Sequence, residues 1–276
     1  MLQDTARNAA FDRAITAAVS PGDRVLDIGT GSGLLAMMAA RAGAAEVIAC
    51  EMDPLLADAA ARIVAQNGFG GRIRTLPKRS ADLDVQRDLG GQVDMIVAEV
   101  LANNLLLEGV LPTMRDAARR LLRPGGRMVP CGADIVIAPC EWDDFRPFGT
   151  VSGFNLGGFN PLLAAPRRTA SDHEGLHLRG GPATLFGFDF ADPDAEESRR
   201  TRLTLESAGG RVNGIAQWLK VRLDDATCHE NRPGLDHRSH WRVLFYPFDR
   251  AIDTAPGEAI RIEASHDAES VSIWRG

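Results

Sequence analysis

Apolar and polar positions repeat with different periods in the two halves of this chain. In the first half, short unbroken apolar runs alternate with segments of helical spacing. Apolar residues at Ala10, Phe11, Ala14, Ile15 and Ala18 predict a helix over 1–19, ended by Ser20, Pro21 and Gly22. Arg24 to Ile28 reads as a buried strand. It runs into the glycine run 29–33 and then an alanine-rich helix that Gly43 stops. Glu46 to Glu51 is a second strand, and Asp53 with Pro54 starts a helix that Asn67-Gly68 ends. Further strands are expected at Ile73 to Pro77, Val93 to Glu99 and Arg127 to Val129, with a helix over roughly Leu106 to Leu122. Strands alternating with helices predict a doubly wound α/β unit with a parallel sheet, covering residues 1–130.

Near Pro130 the helical period stops. The segments ADIVIAPCE, ATLFGFDF, RRTRLTLES, GRVNGIAQWLKVRLD, SHWRVLFYPF, EAIRIEAS and ESVSIWR are β-type, separated by Gly, Pro and Asp turns. Residues 131–276 are therefore expected to form an antiparallel barrel-like or sandwich unit. A Gly/Pro/Arg-rich stretch at about 148–181 has little periodicity and reads as an inserted arm.

Composition narrows the function classes. With 45% apolar residues in 276, the chain has material for a large core. No apolar run approaches the ~20 residues of a membrane helix, and MLQDTARNAAF lacks the basic-then-apolar layout of a signal peptide. The cysteines (Cys50, Cys131, Cys140, Cys228) form no CxxC pair, so no metal site is expected and a reducing, cytoplasmic setting is. A net charge of −6 argues against a broad nucleic-acid face and is compatible with a cationic substrate.

The chemistry starts at D-I-G-T-G-S-G. Gly29, Gly31 and Gly33 allow a tight turn and close approach of backbone to ligand. Glu51 ends the second strand twenty residues beyond Gly31, where an acid can hold ribose hydroxyls. Asp27, two residues before the first glycine, would repel a pyrophosphate but suits a ligand carrying ammonium and sulfonium groups. That favours S-adenosyl-L-methionine, and the motif resembles the leading motif of the class I methyltransferases. Asp82 would then lie near the adenine amino group.

Several segments together resemble the protein arginine N-methyltransferases. MLQDTARNAAF is similar to the stretch ahead of that family's cofactor fold, and VLDIGTGSGLL to its cofactor loop. AEVLANNLLLEGVLP resembles its double-glutamate loop, with Glu99 and Glu108 as the two acids. SHWRVLFYPF resembles its Thr-His-Trp loop, with Ser239 for threonine, then His240 and Trp241. The resemblance covers essentially the whole chain. It implies a Rossmann-like cofactor domain followed by a β-barrel substrate domain, and methyl transfer to a guanidinium nitrogen of a protein or peptide arginine.

The resemblance also implies roles. Glu99 and Glu108 would clamp the guanidinium, and His240 with Asp4 would relay a proton or tie the two halves together. Arg7 would pair with the cofactor carboxylate, Trp241 would wall the substrate pocket, and Met1 would border the acceptor nitrogen. The arm at 148–181 would make a homodimer. Taken singly, Glu108 reads as a first-turn helix acid, His240 as a structural histidine, Trp241 as a core aromatic, and Asp4 with Arg7 as a helix-face ion pair. The family carries a tyrosine-bearing lid helix ahead of the Met-Leu segment, and this sequence starts inside that segment, so either the true start lies upstream of Met1 or the lid is missing. The loop VLANNLLL lacks the family's aromatic residues. Alternative readings are a methyltransferase for ribosomal-protein amino groups and a non-catalytic cofactor-binding scaffold.

Overall fold

Five strands with buried cores lie in the first half of the chain. In a computed structural model, which describes residues 1–163, 165–192, 198–235 and 239–276, α1 covers Thr5–Ala18 and β1 Arg24–Ile28. They are followed by α2 (Leu34–Ala42), β2 (Glu46–Cys50), α3 (Pro54–Gln66), β3 (Ile73–Leu76), β4 (Val93–Ala98), α4 (Val110–Asp116) and β5 (Leu122–Val129). The strands lie in the order β3-β2-β1-β4-β5 and every pair is parallel. Both faces of such a sheet are covered, which is why β1, β2 and β4 read as apolar runs rather than alternations. α1 buries Arg7, Ala10, Phe11, Ala14 and Ile15, one helical face. Asp53 caps α3 by accepting from Leu55 N–H at 2.8 Å, as its sequence position predicts.

The strand order reverses at β1, which has β2 on one side and β4 on the other. At such a switch point the loops leaving the strand ends diverge and open a crevice. The glycine turn after β1, Glu51 after β2 and Glu99 after β4 therefore share one sheet edge.

One expected element is displaced. The helix read over Leu106 to Leu122 starts only at Val110, because Leu105 (φ 73°), Glu108 (φ 71°) and Gly109 (φ 71°) are left-handed. Past Asp116 it widens into a π-helical turn, Ala117–Leu121.

The second half contributes β6 (Gly132–Trp142), a small hairpin of β7 (Thr150–Val151) and β8 (Phe154–Asn155), and β9 (Arg167–Thr169). Then come β10 (Leu176–Leu178), β11 (Ala183–Asp189), β12 (Arg199–Arg222), β13 (Cys228–Glu230), β14 (Val243–His266) and β15 (Val271–Arg275). Apart from the hairpin, these make one eight-stranded sheet with the path β10-β6-β12-β14-β15. All its strand pairs are antiparallel. Four segments read as separate strands are two long ones. RRTRLTLES and GRVNGIAQWLKVRLD both lie within the 24-residue β12, and the segments around FYPF and EAIRIEAS both lie within β14. The register shifts between Glu206 and Ala208 and between Val212 and Gly214 bend this ribbon without breaking it. The stretch at 148–181 also contributes to the sheet. β9 pairs with β14 and β10 with β6, so residues 167–169 and 176–178 belong to the sheet.

Gly33 illustrates how tightly the glycine turn is built. Its φ is 80°, and a Cβ there would sit 2.9 Å from Val64 Cγ2 on α3. Gly33→Ala is expected to lower the free energy of unfolding by about 1–2 kcal/mol, the cost of a left-handed L-residue. Urea denaturation checks this, and an unchanged midpoint would refute it.

Candidate active site

Glu99 leaves the end of β4 with its side chain 4% exposed, and its Oε2 accepts from Arg7 Nη2 at 2.9 Å. Arg7 is 2% exposed on the buried face of α1, stacks 4.4 Å over Phe11 and donates from Nη1 to Asn8 Oδ1 at 2.9 Å. The other Glu99 oxygen, Oε1, faces His240 Nε2 at 3.9 Å. His240 Nδ1 is 3.0 Å from Asp4 Oδ2, and the same oxygen accepts from His240 N–H at 3.0 Å. Asp4 caps α1 by accepting from Arg7 N–H at 2.9 Å. Four sequence-predicted residues from three distant segments are thus one connected cluster.

Burial pushes the Asp4 carboxyl up, but the hydrogen bonds it accepts from Arg7 and His240 prevail and hold it at about 2. Ser239, which the sequence matches to the family's threonine without a role, belongs to the same cluster. Its Oγ lies 3.4 Å from Asp4 Oδ2 and accepts from Trp241 N–H at 3.2 Å. A serine two residues ahead of the N–H it binds is a local turn signal that Ser-His-Trp carries.

Glu108 differs from Glu99. It is exposed, in a left-handed conformation, and both acids line one cavity of about 640 Å³. Gly29, Glu51, Met52, Lys78 and Ser80 line the same space. Lys78 and Ser80 were not singled out from sequence, since nothing in a short polar stretch after β3 marks them. Lys78 is tied to Asp88 at 2.7 Å.

The glycine turn closes against Glu51, whose Oε2 accepts from Gly31 N–H at 3.1 Å and Oε1 from Asp53 N–H at 3.1 Å. Gly29, Gly31 and Gly33 have φ of 70°, 53° and 80°. A Cβ on Gly29 would meet Val100 Cγ1 at 2.7 Å, so backbone approaches the β4 loop as closely as only glycine allows.

Three sequence expectations change. Asp27 is a loop organiser: its Oδ2 accepts from Thr30 Oγ1 at 2.6 Å and from Ala36 N–H at 3.1 Å, and it is 1% exposed. Burial pushes its carboxyl up to about 6. Trp241 is not a pocket wall. It is 2% exposed, stacked beside His240, and donates from Nε1 to Leu101 O at 3.1 Å. With Asn103 Oδ1 accepting from Arg242 N–H at 2.7 Å, it fastens the loop between the two glutamates to β14. Asp82 is exposed at the end of a short turn, and Ser80 and Ala81 rather than Asp82 line the cavity. Met1 is 55% exposed, its carbonyl accepting from Asp4 N–H at 2.9 Å.

A glycine turn, a strand-end acid and a second pair of acids at the switch point of a parallel sheet define a class I methyltransferase site. Comparison with known proteins agrees. Residues 11–133 match a family described as Ribosomal protein L11 methyltransferase (PrmA). This match covers the parallel-sheet half and stops where the antiparallel half begins. Relatives extend along the whole chain. One is an Arginine N(omega)-methyltransferase from Streptomyces achromogenes subsp. streptozoticus, 36% identical over 99% of this chain and 77% of the relative. Another is Protein arginine N-methyltransferase 7 from Oryza sativa subsp. japonica, 31% identical over 99% of this chain. The chain spans 44% of that rice protein, less than half its length. Among solved structures, the Trypanosoma brucei PRMT1 enzyme-prozyme complex with AdoHcy superposes with a TM-score of 0.85 at 21% identity, over 100% of this chain and 96% of that one. Arabidopsis thaliana protein arginine methyltransferase 10 gives 0.80 at 19%, over 100% and 96%. These two likenesses establish the fold. The chain belongs to the arginine N-methyltransferase family, class I S-adenosylmethionine-dependent enzymes.

Folded Asp4 keeps its charge down to about pH 2, whereas an unfolded aspartate titrates near about 3.9. Its stabilising contribution is therefore complete above about pH 4 and disappears as pH falls toward 2. The stability gap between wild type and Asp4→Asn is expected to close across that window in denaturant titrations. A gap independent of pH would refute the assignment.

Proposed function

We propose that this protein transfers a methyl group from S-adenosyl-L-methionine to a terminal guanidinium nitrogen of arginine in a protein, peptide or smaller acceptor. One observation carries the reading: Glu99 and Glu108 line the same cavity as Gly29 and Glu51. The glycine turn and Glu51 fit the cofactor, since close backbone approach and a ribose-binding acid are what it needs. When bound, S-adenosyl-L-methionine supplies an electrophilic methyl group on a sulfonium.

The acceptor sets the remaining requirements. A guanidinium is protonated at neutral pH, so its nitrogens are poor nucleophiles. Glu99 and Glu108 grip it through charge-assisted hydrogen bonds and draw its positive charge toward the nitrogens they hold. The remaining terminal nitrogen keeps more lone-pair character and is held in line for attack. Glu99 already binds a guanidinium, that of Arg7, on one oxygen. His240 Nε2, across from the other oxygen and braced by Asp4, is suited to carry the proton lost on methylation. Arg7 beside the cavity suits the cofactor carboxylate. Residues 1–130 serve as the cofactor unit and residues 131–276 as the substrate unit.

A homodimer formed through the arm completes this reading. Phe154 and Leu162 are each 72% exposed and Phe159 is 56% exposed on the arm. Met52 at 65% and Leu55 at 79% form a second apolar patch at the start of α3. Each needs a cover, and a second copy can supply both covers at once. No helix among the described residues is long and apolar enough to cross a membrane. The free cysteines Cys50, Cys131, Cys140 and Cys228 suit the cytoplasm.

Glu99→Gln is expected to lower methyl transfer at least about 100-fold, comparable to losing one charged transition-state contact, with cofactor affinity little changed. Labelled-methyl transfer and calorimetry measure the two. Near-wild-type turnover, or label only on lysine or an α-amine, would end the arginine reading. Phe154→Glu with Leu162→Glu is expected to turn a dimer into a monomer in analytical ultracentrifugation. An unaltered sedimentation coefficient would rule out the arm as the interface.

A further inference from the structure

 A second cavity adjoins the loop that joins the two glutamates, and its one charged lining residue is a cation, Arg168. The cavity measures about 250 Å³ and shares no lining residue with the first. Asn103, Asn104 and Leu107 of the glutamate loop form one wall, and Arg168 on β9 faces them across Leu244 and Tyr246 of β14. None of its lining residues is acidic, whereas the first cavity is lined by Glu51, Glu99 and Glu108 together with Lys78 and Arg79. Leu107 lines one cavity and Glu108, the next residue, lines the other, so the two are adjacent.

Arg168 is exposed, and among the described residues no carboxylate pairs with it. Its neighbours offer little else for a cation to bind. Asn104 donates to Glu269 O at 3.4 Å and accepts from Leu107 N–H at 3.0 Å, and Ser270 donates its hydroxyl to Asp267 at 2.9 Å. The Tyr246 hydroxyl donates to Gln217 Oε1 at 2.9 Å. Asn103 accepts from Arg242 N–H through its oxygen, which leaves its NH2 group as a donor. The polar capacity left in this cavity is that of a cation and an amide donor, which suits an anion.

We propose that Arg168, with Asn103, forms a subsite for a carboxylate carried by the same acceptor whose guanidinium lies between Glu99 and Glu108. The proposal rests on the arginine-methylation reading above. An acceptor with a guanidinium at one end and a carboxylate at the other would set its cation between Glu99 and Glu108 and its anion in the adjacent cavity at Arg168. The carboxylate has two sources: the α-carboxylate of free arginine, or an acidic residue beside arginine in a peptide.

The test compares matched acceptors: L-arginine with argininamide, and a capped peptide carrying Arg-Glu with its Arg-Gln counterpart. In wild type, KM for the charged member of at least one pair is expected to be about ten-fold below that of the neutral one, the scale of one charge-assisted hydrogen bond. Arg168→Gln is expected to erase that gap by raising KM of the charged member, with kcat retained. A gap confined to the first pair identifies free arginine, and one confined to the second an acidic peptide. Equal KM values within both pairs, or a variant that weakens charged and neutral acceptors alike, overturn the subsite. If no acceptor is methylated, the arginine reading fails separately. Calorimetric binding of the same four compounds with S-adenosylhomocysteine present then decides the subsite: an Arg168-dependent preference for a charged member supports it, and equal or undetectable affinities overturn it.

Discussion

The ion pair between Arg7 and Glu99 is the contact on which the rest of this structure depends. Both side chains are almost wholly withdrawn from water, at 2% and 4% exposure. Isolating either charge there would be costly, and removing one partner of a buried pair typically destabilises by about 3–5 kcal/mol. α1 must therefore dock across the end of β4, and it does so with Asp4 already bound to Arg7 N–H. Asp4 in turn holds His240, 236 residues away in sequence. Helix, parallel sheet and antiparallel sheet meet at one charged cluster, so the assembly of the fold and the assembly of the site are the same event.

That cluster also explains the contrast between the two glutamates. Glu99 is packed, paired and oriented before any acceptor arrives. Glu108 is exposed and stands in a left-handed conformation beside Leu105, another left-handed residue that is not glycine. Such conformations persist only where surrounding contacts overdetermine them. Here those contacts are the Trp241 indole on Leu101 O and the Asn103 side chain on Arg242 N–H. Trp241 contributes to the site from behind, by holding the loop that presents Glu108.

Much of this was legible from local pattern. The apolar runs of β1, β2 and β4, the glycine turn, and the Asp53-Pro54 start of α3 all follow from interactions within a few residues, so periodicity and capping chemistry reveal them. That Glu99 and Glu108 would face one space was also readable, because a short loop returns the second acid toward the first, and both line one cavity. The structure departs from the local pattern where distant contacts override local preference. Residues 106–109 have helical composition but are held out of the helix, and the glycine and proline turns within β12 and β14 look like strand ends but are spanned by ladder hydrogen bonds.

What the sequence by itself determined is the order of elements, the class of cofactor turn and the identity of the acids at the strand ends, since each depends on residues near in the chain. The tertiary structure alone decided that Arg7 binds Glu99, that Asp27 serves the loop, that Trp241 is a buried brace and that Arg168 faces the glutamate loop. Those outcomes depend on which distant surfaces exclude water from one another, and no local pattern encodes that.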